Sequence, residues 1–142
     1  MLKPTPRILL VEDNAERIVQ FQAWLANSLF QLIVTTSGGQ ALGVLNRGTE
    51  AIAGICLDHD LEGQQKTIGD GLVSGSKVVD AICAKVGRVV PILVHSMNVS
   101  KGEEMAVRLT YAKFSVTRIP MSTLNKLRFL AWLDAVHEQW ED

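Results

Sequence analysis

Three apolar runs of the chain each end in polar residues whose side chains can bind a metal, transfer protons or form hydrogen bonds. These residues are Glu12-Asp13, Asp58-His59-Asp60 and His95-Ser96-Met97-Asn98. Carboxylates are hard oxygen ligands that suit Mg²⁺, and water and a phosphoryl group can complete its coordination shell. Imidazoles exchange protons near neutral pH, and hydroxyl and amide groups donate hydrogen bonds to phosphate oxygens. The combination indicates metal or phosphate chemistry, provided that the fold brings the three run ends together.

The elements that must position these residues alternate between β-rich runs and segments of helical period. We predict strands at 7–12, 32–36, 52–58, 89–95 and 114–118. Asn14 is the predicted cap of the first helix, and Ser-x-x-Gln and Ser-x-x-Glu boxes at Ser37 and Ser100 predict the starts of the second and fourth. A third helix follows a polar loop that ends at residue 70. The last helix is predicted at 122–140, with the apolar face Leu127, Leu130, Leu133, His137 and Trp140.

Strands joined by single helices are parallel, and right-handed crossovers that cover both faces give a doubly wound sheet. We therefore predict an α/β, flavodoxin-like (βα)5 fold with a five-stranded parallel sheet of order 2-1-3-4-5, forming one domain over residues 1–142 with its core at 7–140. In that order strands one, three and four are neighbours. Glu12, Asp58 and His95 then surround one crevice at the carboxyl ends of the strands, where ligands bind in open α/β sheets.

The acidic residues of this crevice form a predicted site for Mg²⁺ or another divalent cation. The predicted ligands are Glu12, Asp13, Asp58 and Asp60. Acids placed this closely repel one another unless a cation lies between them. Asp58 is either a metal ligand or the nucleophile of phosphoryl transfer, and the sequence leaves both roles open. Ser96 and the helix N-terminus after Asn98 are predicted to donate hydrogen bonds to phosphate.

Composition narrows the class of protein. A hydrophobic content of 47% excludes a disordered chain, and a formal net charge of -1 excludes a broad basic surface for nucleic acid. Cys56 and Cys83 lie in apolar periodic segments, which predicts small buried side chains in a reducing compartment. The apolar stretch before residue 12 is too short for a signal peptide or a membrane span. A cytoplasmic protein without a membrane partner is expected.

From about Arg7 to Trp140 the chain resembles the receiver domain of bacterial response regulators. The resemblance rests on the acidic pair at 12–13, Asp58 and Ser96, together with Asp70-Gly71 at the start of the third helix. It implies that the acidic pair holds Mg²⁺, that Asp58 accepts a phosphoryl group and that Ser96 is the switch hydroxyl.

Three departures from the receiver pattern bear on function. Receivers carry a Lys directly before the Pro that follows strand five, whereas here Ile119 precedes Pro120 and the nearest cation, Arg118, stands one residue early. Receivers also carry an aromatic residue three positions before that Lys. Here the candidates are Ser115, counted from Arg118, or Val116, counted from Ile119, and neither is aromatic. The loop at 58–71 is several residues longer than in receivers. The usual coupling to an output partner is therefore not expected.

His59 and His95 stand where receivers have apolar or small residues. One neutral imidazole can take a proton from an attacking water while a second, protonated imidazole supplies one to the leaving oxygen. The alternative is that each is buried or binds the metal, because a residue flanking Asp58 or Ser96 points away from the crevice if the strand stays regular. The sequence leaves both interpretations open.

The motifs at 57–61 and 94–98 resemble a narrower group, the cyclic-phosphate processing receiver family. This resemblance implies action on cyclic phosphate ends, such as the 2′,3′-cyclic phosphate of RNA or a nucleotide. It implies catalysis by Asp58, His59 and His95, and phosphate binding by Ser96, Asn98 and Arg118. The alternatives are a signalling receiver that a phosphodonor kinase phosphorylates on Asp58, and a degenerate receiver used for protein docking.

Overall fold

Five parallel strands form one sheet in the order β2-β1-β3-β4-β5. The computed structural model describes residues 4–59 and 75–141. The strands are β1 Arg7–Val11, β2 Gln31–Thr35, β3 Ile52–Leu57, β4 Ile92–Val94 and β5 Val116–Arg118. The predicted flavodoxin-like order is confirmed. Asp60, Asp70-Gly71 and most of the long loop between β3 and the third helix lie outside the described residues.

Five helices connect and follow the strands in the described part of the chain. They are α1 Ala15–Leu25, α2 Gly38–Arg47, α3 Gly75–Lys85, α4 Val99–Tyr111 and α5 Lys126–Glu141. The predicted caps of α1 and α2 are confirmed, because Asn14 Oδ1 accepts from the Arg17 N–H at 3.0 Å and Ser37 Oγ accepts from the Gln40 N–H at 3.1 Å. Each cap satisfies a backbone donor of the first turn.

The start of α4 differs from the prediction, because Asn98 caps this helix and Ser100 does not. Asn98 has an extended backbone, and its Oδ1 accepts from the Lys101 N–H at 2.9 Å. Ser100 therefore lies inside the first turn, where its hydroxyl bonds to Asn98 Oδ1 at 3.3 Å. The cap is two residues earlier than the predicted box.

Strands β4 and β5 and helix α5 begin later than predicted, because turns use the flanking backbone donors. The Val90 N–H donates to Gly87 O at 3.1 Å, and Pro91 has no N–H, so β4 begins only at Ile92. The N–H groups of residues 113 and 114 bond to the end of α4, which delays β5 to Val116. Those of residues 123 and 124 both bond to Pro120 O at 2.9 Å, and α5 starts after that turn.

The sheet separates two apolar clusters, and β3 is buried along its whole length. One cluster packs α2, α3 and α4 on one face, and the other packs α1 and α5 on the opposite face. The buried residues of α5 are Phe129, Trp132, Leu133 and Val136. The predicted apolar face of α5 was therefore wrong in part, since Leu127 is 81% exposed. Gly54 on β3 fixes the true face, because a Cβ there would lie 2.9 Å from Trp132 Cη2.

An aromatic cluster of Phe21, Trp24, Phe129 and Trp132 fills the space between α1 and α5. The ring centroids of Phe21 and Trp24 are 5.3 Å apart, and those of Phe129 and Trp132 are 5.7 Å apart. Phe21 and Phe129 meet edge to face at 5.5 Å. Such contacts add to the stabilisation that comes from buried area.

Both cysteines are free thiols, as the sequence predicted, but Cys83 is only partly buried, so the predicted burial was wrong for this residue. Cys56 is buried in β3, and this burial raises the pKa of its thiol well above the usual value. No helix in the described ranges is long and apolar enough to cross a membrane.

Candidate metal and phosphate site

The carboxyl ends of β1, β3 and β4 meet at one edge of the sheet. Val11 pairs with Leu57, and Leu57 pairs with Val94. The ladder continues past these strand ends, since the Asp58 N–H donates to Val11 O at 3.0 Å and the His95 N–H donates to Leu57 O at 2.9 Å. The residues that follow three neighbouring strands are therefore held side by side.

Three carboxylates come together at this edge. One oxygen from each of Glu12, Asp13 and Asp58 lies within 4.8 Å of the others. Glu12 and Asp58 are 0% and 3% exposed, whereas Asp13 is partly exposed. This all-oxygen set fits a hard divalent cation such as Mg²⁺, which takes carboxylates together with water. Asp60, the remaining predicted ligand, lies outside the described residues.

Glu12 is fixed through both of its carboxylate oxygens. Oε2 accepts from the N–H groups of Asp13 and Asn14 at 3.0 and 3.1 Å, and Oε1 is 3.0 Å from His95 Nε2. Burial alone would raise the pKa of Glu12. The Glu12 pKa nevertheless lies below its usual value. Burial is outweighed by the hydrogen bond and electrostatic attraction to His95, by the Asn14 N–H and by the charge of Arg17. Glu12 is thus an oriented, ionised carboxylate.

His95 has no exposed surface. Its ring centroid lies 5.0 Å from that of Phe21, and its Nε2 must carry a proton to donate to Glu12. Nδ1 has no hydrogen-bond partner within residues 4–59 and 75–141, so Nε2 makes the polar contact of this ring. His95 therefore contacts the acidic cluster through Glu12.

His59 has different surroundings. It directly follows Asp58, is partly exposed and packs against the first residue of α3. A Cβ on Gly75 would lie 2.9 Å from His59 Cδ2, so glycine at this position leaves room for the imidazole. Solvent reaches His59, which distinguishes it from the buried His95.

The three predicted phosphate-binding residues lie at β4, α4 and β5. Ser96 is fully buried, and its Oγ accepts from the Asn98 N–H at 3.1 Å, while the Asn98 side chain caps α4. Arg118 pairs with Val94 in the sheet and donates to Val94 O at 3.3 Å. Its guanidinium passes so close to Gly102 that a Cβ there would lie 2.5 Å from an Arg118 nitrogen. Ser96 and Asn98 thus form the loop before α4, and Arg118 is held between β4 and α4.

Arg17 is a residue of this site that the sequence reasoning missed. Its NH1 lies 3.7 Å from Glu12 Oε1 and 3.8 Å from Asp58 Oδ2. Two signals were available. Arg17 follows Asp13 by four residues, and it is a cation in the first turn of α1, where the helix dipole favours acids.

The fold and the acidic cluster define a receiver-type domain, and the comparisons with solved structures agree on the fold. The signal receiver domain of an HD-domain protein from Pseudomonas fluorescens is 15% identical, with a TM-score of 0.72 over 98% of this chain and 100% of that one. A CheY-like receiver from Methanospirillum hungatei is 16% identical, with a TM-score of 0.71 over 97% and 98%. The receiver domain of a sensor histidine kinase from Pseudomonas aeruginosa, with a magnesium ion in its active-site cleft, is 20% identical, with a TM-score of 0.67 over 94% and 99%.

Residues 7–111 match the family described as the cyclic-phosphate processing receiver domain, and the chain belongs to this family. Both resemblances seen in the sequence are therefore confirmed. Among curated protein sequences, no significant match to this chain was found.

Proposed function

We propose that this protein is a divalent-cation-dependent phosphoesterase that opens cyclic phosphate ends, such as the 2′,3′-cyclic phosphate of RNA or a nucleotide. The observation that carries the proposal is the cluster of Glu12, Asp13 and Asp58, whose oxygens lie within 4.8 Å of one another. Membership of the cyclic-phosphate processing receiver family supports the substrate class. The magnesium ion in the Pseudomonas aeruginosa receiver domain supports the choice of cation.

Glu12, Asp13 and Asp58 would hold the cation, which when bound would neutralise charge on the phosphoryl oxygens. In the overall reaction water adds to phosphorus, one bond from phosphorus to a ribose oxygen breaks, and the proton lost by water balances the proton gained by that oxygen. His59 is the candidate for proton transfer because it directly follows Asp58 in the chain and is partly exposed to solvent. His95 would act through Glu12 by fixing its orientation. The N-terminus of α4, after Ser96 and Asn98, would donate hydrogen bonds to phosphate.

The test is release of a linear phosphomonoester from 2′,3′-cyclic AMP, and from a short RNA with a cyclic end, in the presence of Mg²⁺. Asp58→Asn and His59→Ala should each lower turnover by about a hundredfold or more, the usual contribution of a proton-transfer group or charged catalytic group. His137→Ala is the matched control, since this exposed histidine lies on α5 beside Glu141. Turnover that is absent in the wild type, or equal in all three variants, contradicts the proposal.

A phosphorylated receiver is the second candidate function, because Asp58 directly follows β3 within the acidic cluster. In that case a phosphodonor, such as a kinase, would transfer a phosphoryl group to the Asp58 carboxylate. Incubation with acetyl phosphate and Mg²⁺ should add the mass of one phosphoryl group, and Asp58→Asn should abolish the gain. If the protein shows no mass gain and no turnover of a cyclic phosphate, the result favours the degenerate receiver used for protein docking.

A further inference from the structure

Arg17 extends from the first turn of α1 to two carboxylates on different strands. Its NH1 lies 3.7 Å from Glu12 and 3.8 Å from Asp58, both of which are almost fully buried. These distances are within the range of an ion pair but beyond that of a hydrogen bond. The Arg17 side chain itself is 30% exposed. The guanidinium can therefore shift without breaking a hydrogen bond to either acid.

The other basic group predicted for this edge is held elsewhere. Arg118 donates to Val94 O and packs over Gly102, and Ile119, where receivers carry a Lys, packs with the apolar cluster between α1 and α5. Arg17 forms ion pairs with two carboxylates of the acidic cluster, Glu12 and Asp58. Arginine suits phosphate because its planar guanidinium can donate two parallel hydrogen bonds.

We propose that Arg17 binds the phosphate of the ligand, and that its guanidinium competes with the divalent cation for Glu12 and Asp58. The inference rests on the proposed function, since it names the phosphate-binding cation of the same site. A cation near two carboxylates lowers their attraction for a second cation, whereas the same group attracts a phosphate. Loss of Arg17 should thus change the two affinities in opposite directions, which a merely structural role would not do.

The test compares Arg17→Gln and Arg17→Lys with the wild type. Gln has a helix propensity close to that of Arg, so the substitution is compatible with α1. Arg47→Gln is the matched control, because Arg47 lies beside Arg7 and Ile52 at the opposite edge of the sheet. Mn²⁺ affinity is measured by calorimetry, and affinity for inorganic phosphate by phosphorus NMR at saturating Mg²⁺.

Arg17→Gln should bind Mn²⁺ about two- to fivefold more tightly, as expected for the loss of a partly exposed charge pair. It should bind phosphate at least about tenfold more weakly, as expected for the loss of charge-assisted hydrogen bonds. Arg17→Lys should restore Mn²⁺ affinity to the wild-type value and phosphate affinity in part. Arg47→Gln should match the wild type in both.

Unchanged or weaker Mn²⁺ binding in Arg17→Gln, or unchanged phosphate binding, overturns the inference. A wild type that binds neither Mn²⁺ nor phosphate overturns the inference and the proposed function together. A wild type that binds both, with the expected changes in Arg17→Gln but no opening of a cyclic phosphate, supports the role of Arg17 and overturns only the cyclic-phosphate reaction.

Discussion

His95 Nε2 donates a hydrogen bond to Glu12 Oε1 at 3.0 Å, and both side chains are 0% exposed. The bond joins the end of β4 to the end of β1 across the intervening β3. Such a buried pair is costly to break on one side, because the remaining group keeps its desolvation cost without its partner. The folding stability of this protein and the geometry of its acidic cluster therefore depend on the same contact.

His95→Ala should lower the free energy of unfolding by about 3 kcal/mol, since it leaves a buried carboxylate with one donor fewer. His95→Gln should cost about half as much, because the Gln amide can donate from a similar position. Urea denaturation measures both values, with the exposed His137→Ala as control. Equal losses in the Ala and Gln variants would contradict a dominant hydrogen-bond contribution.

The lowered pKa of Glu12 predicts a specific pH dependence of stability. A carboxyl group with a folded-state pKa below its usual 4.5 stabilises the fold above that pH, and the contribution is lost as the pH falls through the lowered value. The wild type should thus lose stability below about pH 4.5 more steeply than Glu12→Gln. Urea denaturation in EDTA between pH 3 and 7 measures the two slopes. Parallel curves would show that the Glu12 pKa is not shifted.

Two glycine substitutions should have different effects because of their neighbours. In Gly54→Ala the new methyl group meets the core side chains Trp132 and Val136, at 2.9 and 3.1 Å, so we expect a loss of about 1–3 kcal/mol. In Gly102→Ala it meets the Arg118 guanidinium, which can move. The gain in helix propensity, about 1 kcal/mol, should offset the displacement. Thermal and chemical denaturation of both variants and the wild type measure the changes in stability. A Gly54→Ala variant as stable as the wild type would contradict the close approach of α5.

The cap of α4 can be tested with a pair of substitutions two residues apart. Asn98→Ala removes the acceptor for the Lys101 N–H and should cost about 1 kcal/mol. Ser100→Ala should cost less than about 0.5 kcal/mol, because its hydroxyl lies within the first turn. Urea denaturation of both variants provides the measurement. The opposite ranking would restore Ser100 as the cap.

The strand order and the meeting of Glu12 with Asp58 and His95 could be predicted, because alternating strands and helices form a parallel sheet whose usual order is 2-1-3-4-5. In a sheet of this topology Glu12, Asp58 and His95 must meet wherever their strands end. The contact of Arg17 with Asp58 could not be predicted in the same way, since it depends on the angle at which α1 packs against the sheet. Sequence patterns describe each segment alone, whereas this contact is tertiary.

The wrong predictions for the cap of α4 and the buried face of α5 have a common physical origin: a local sequence pattern fits more than one position. Ser100 and Asn98 are both acceptable caps, and Asn98 takes the position in the structure, where Ser96 Oγ accepts from its N–H. On α5 the helical period allows a face through Leu127 as well as a face through Phe129 and Trp132. The packing of Trp132 against Gly54 selects the second face.

The aromatic cluster has an optical consequence. The His95 ring lies against Phe21, and the Trp24 indole is 5.3 Å from the same phenyl ring. One imidazole and one phenyl ring therefore separate a native fluorophore from the Glu12 carboxylate. We therefore expect occupancy of the acidic cluster to change the tryptophan emission of the unmodified protein, with no dye or tag near the site.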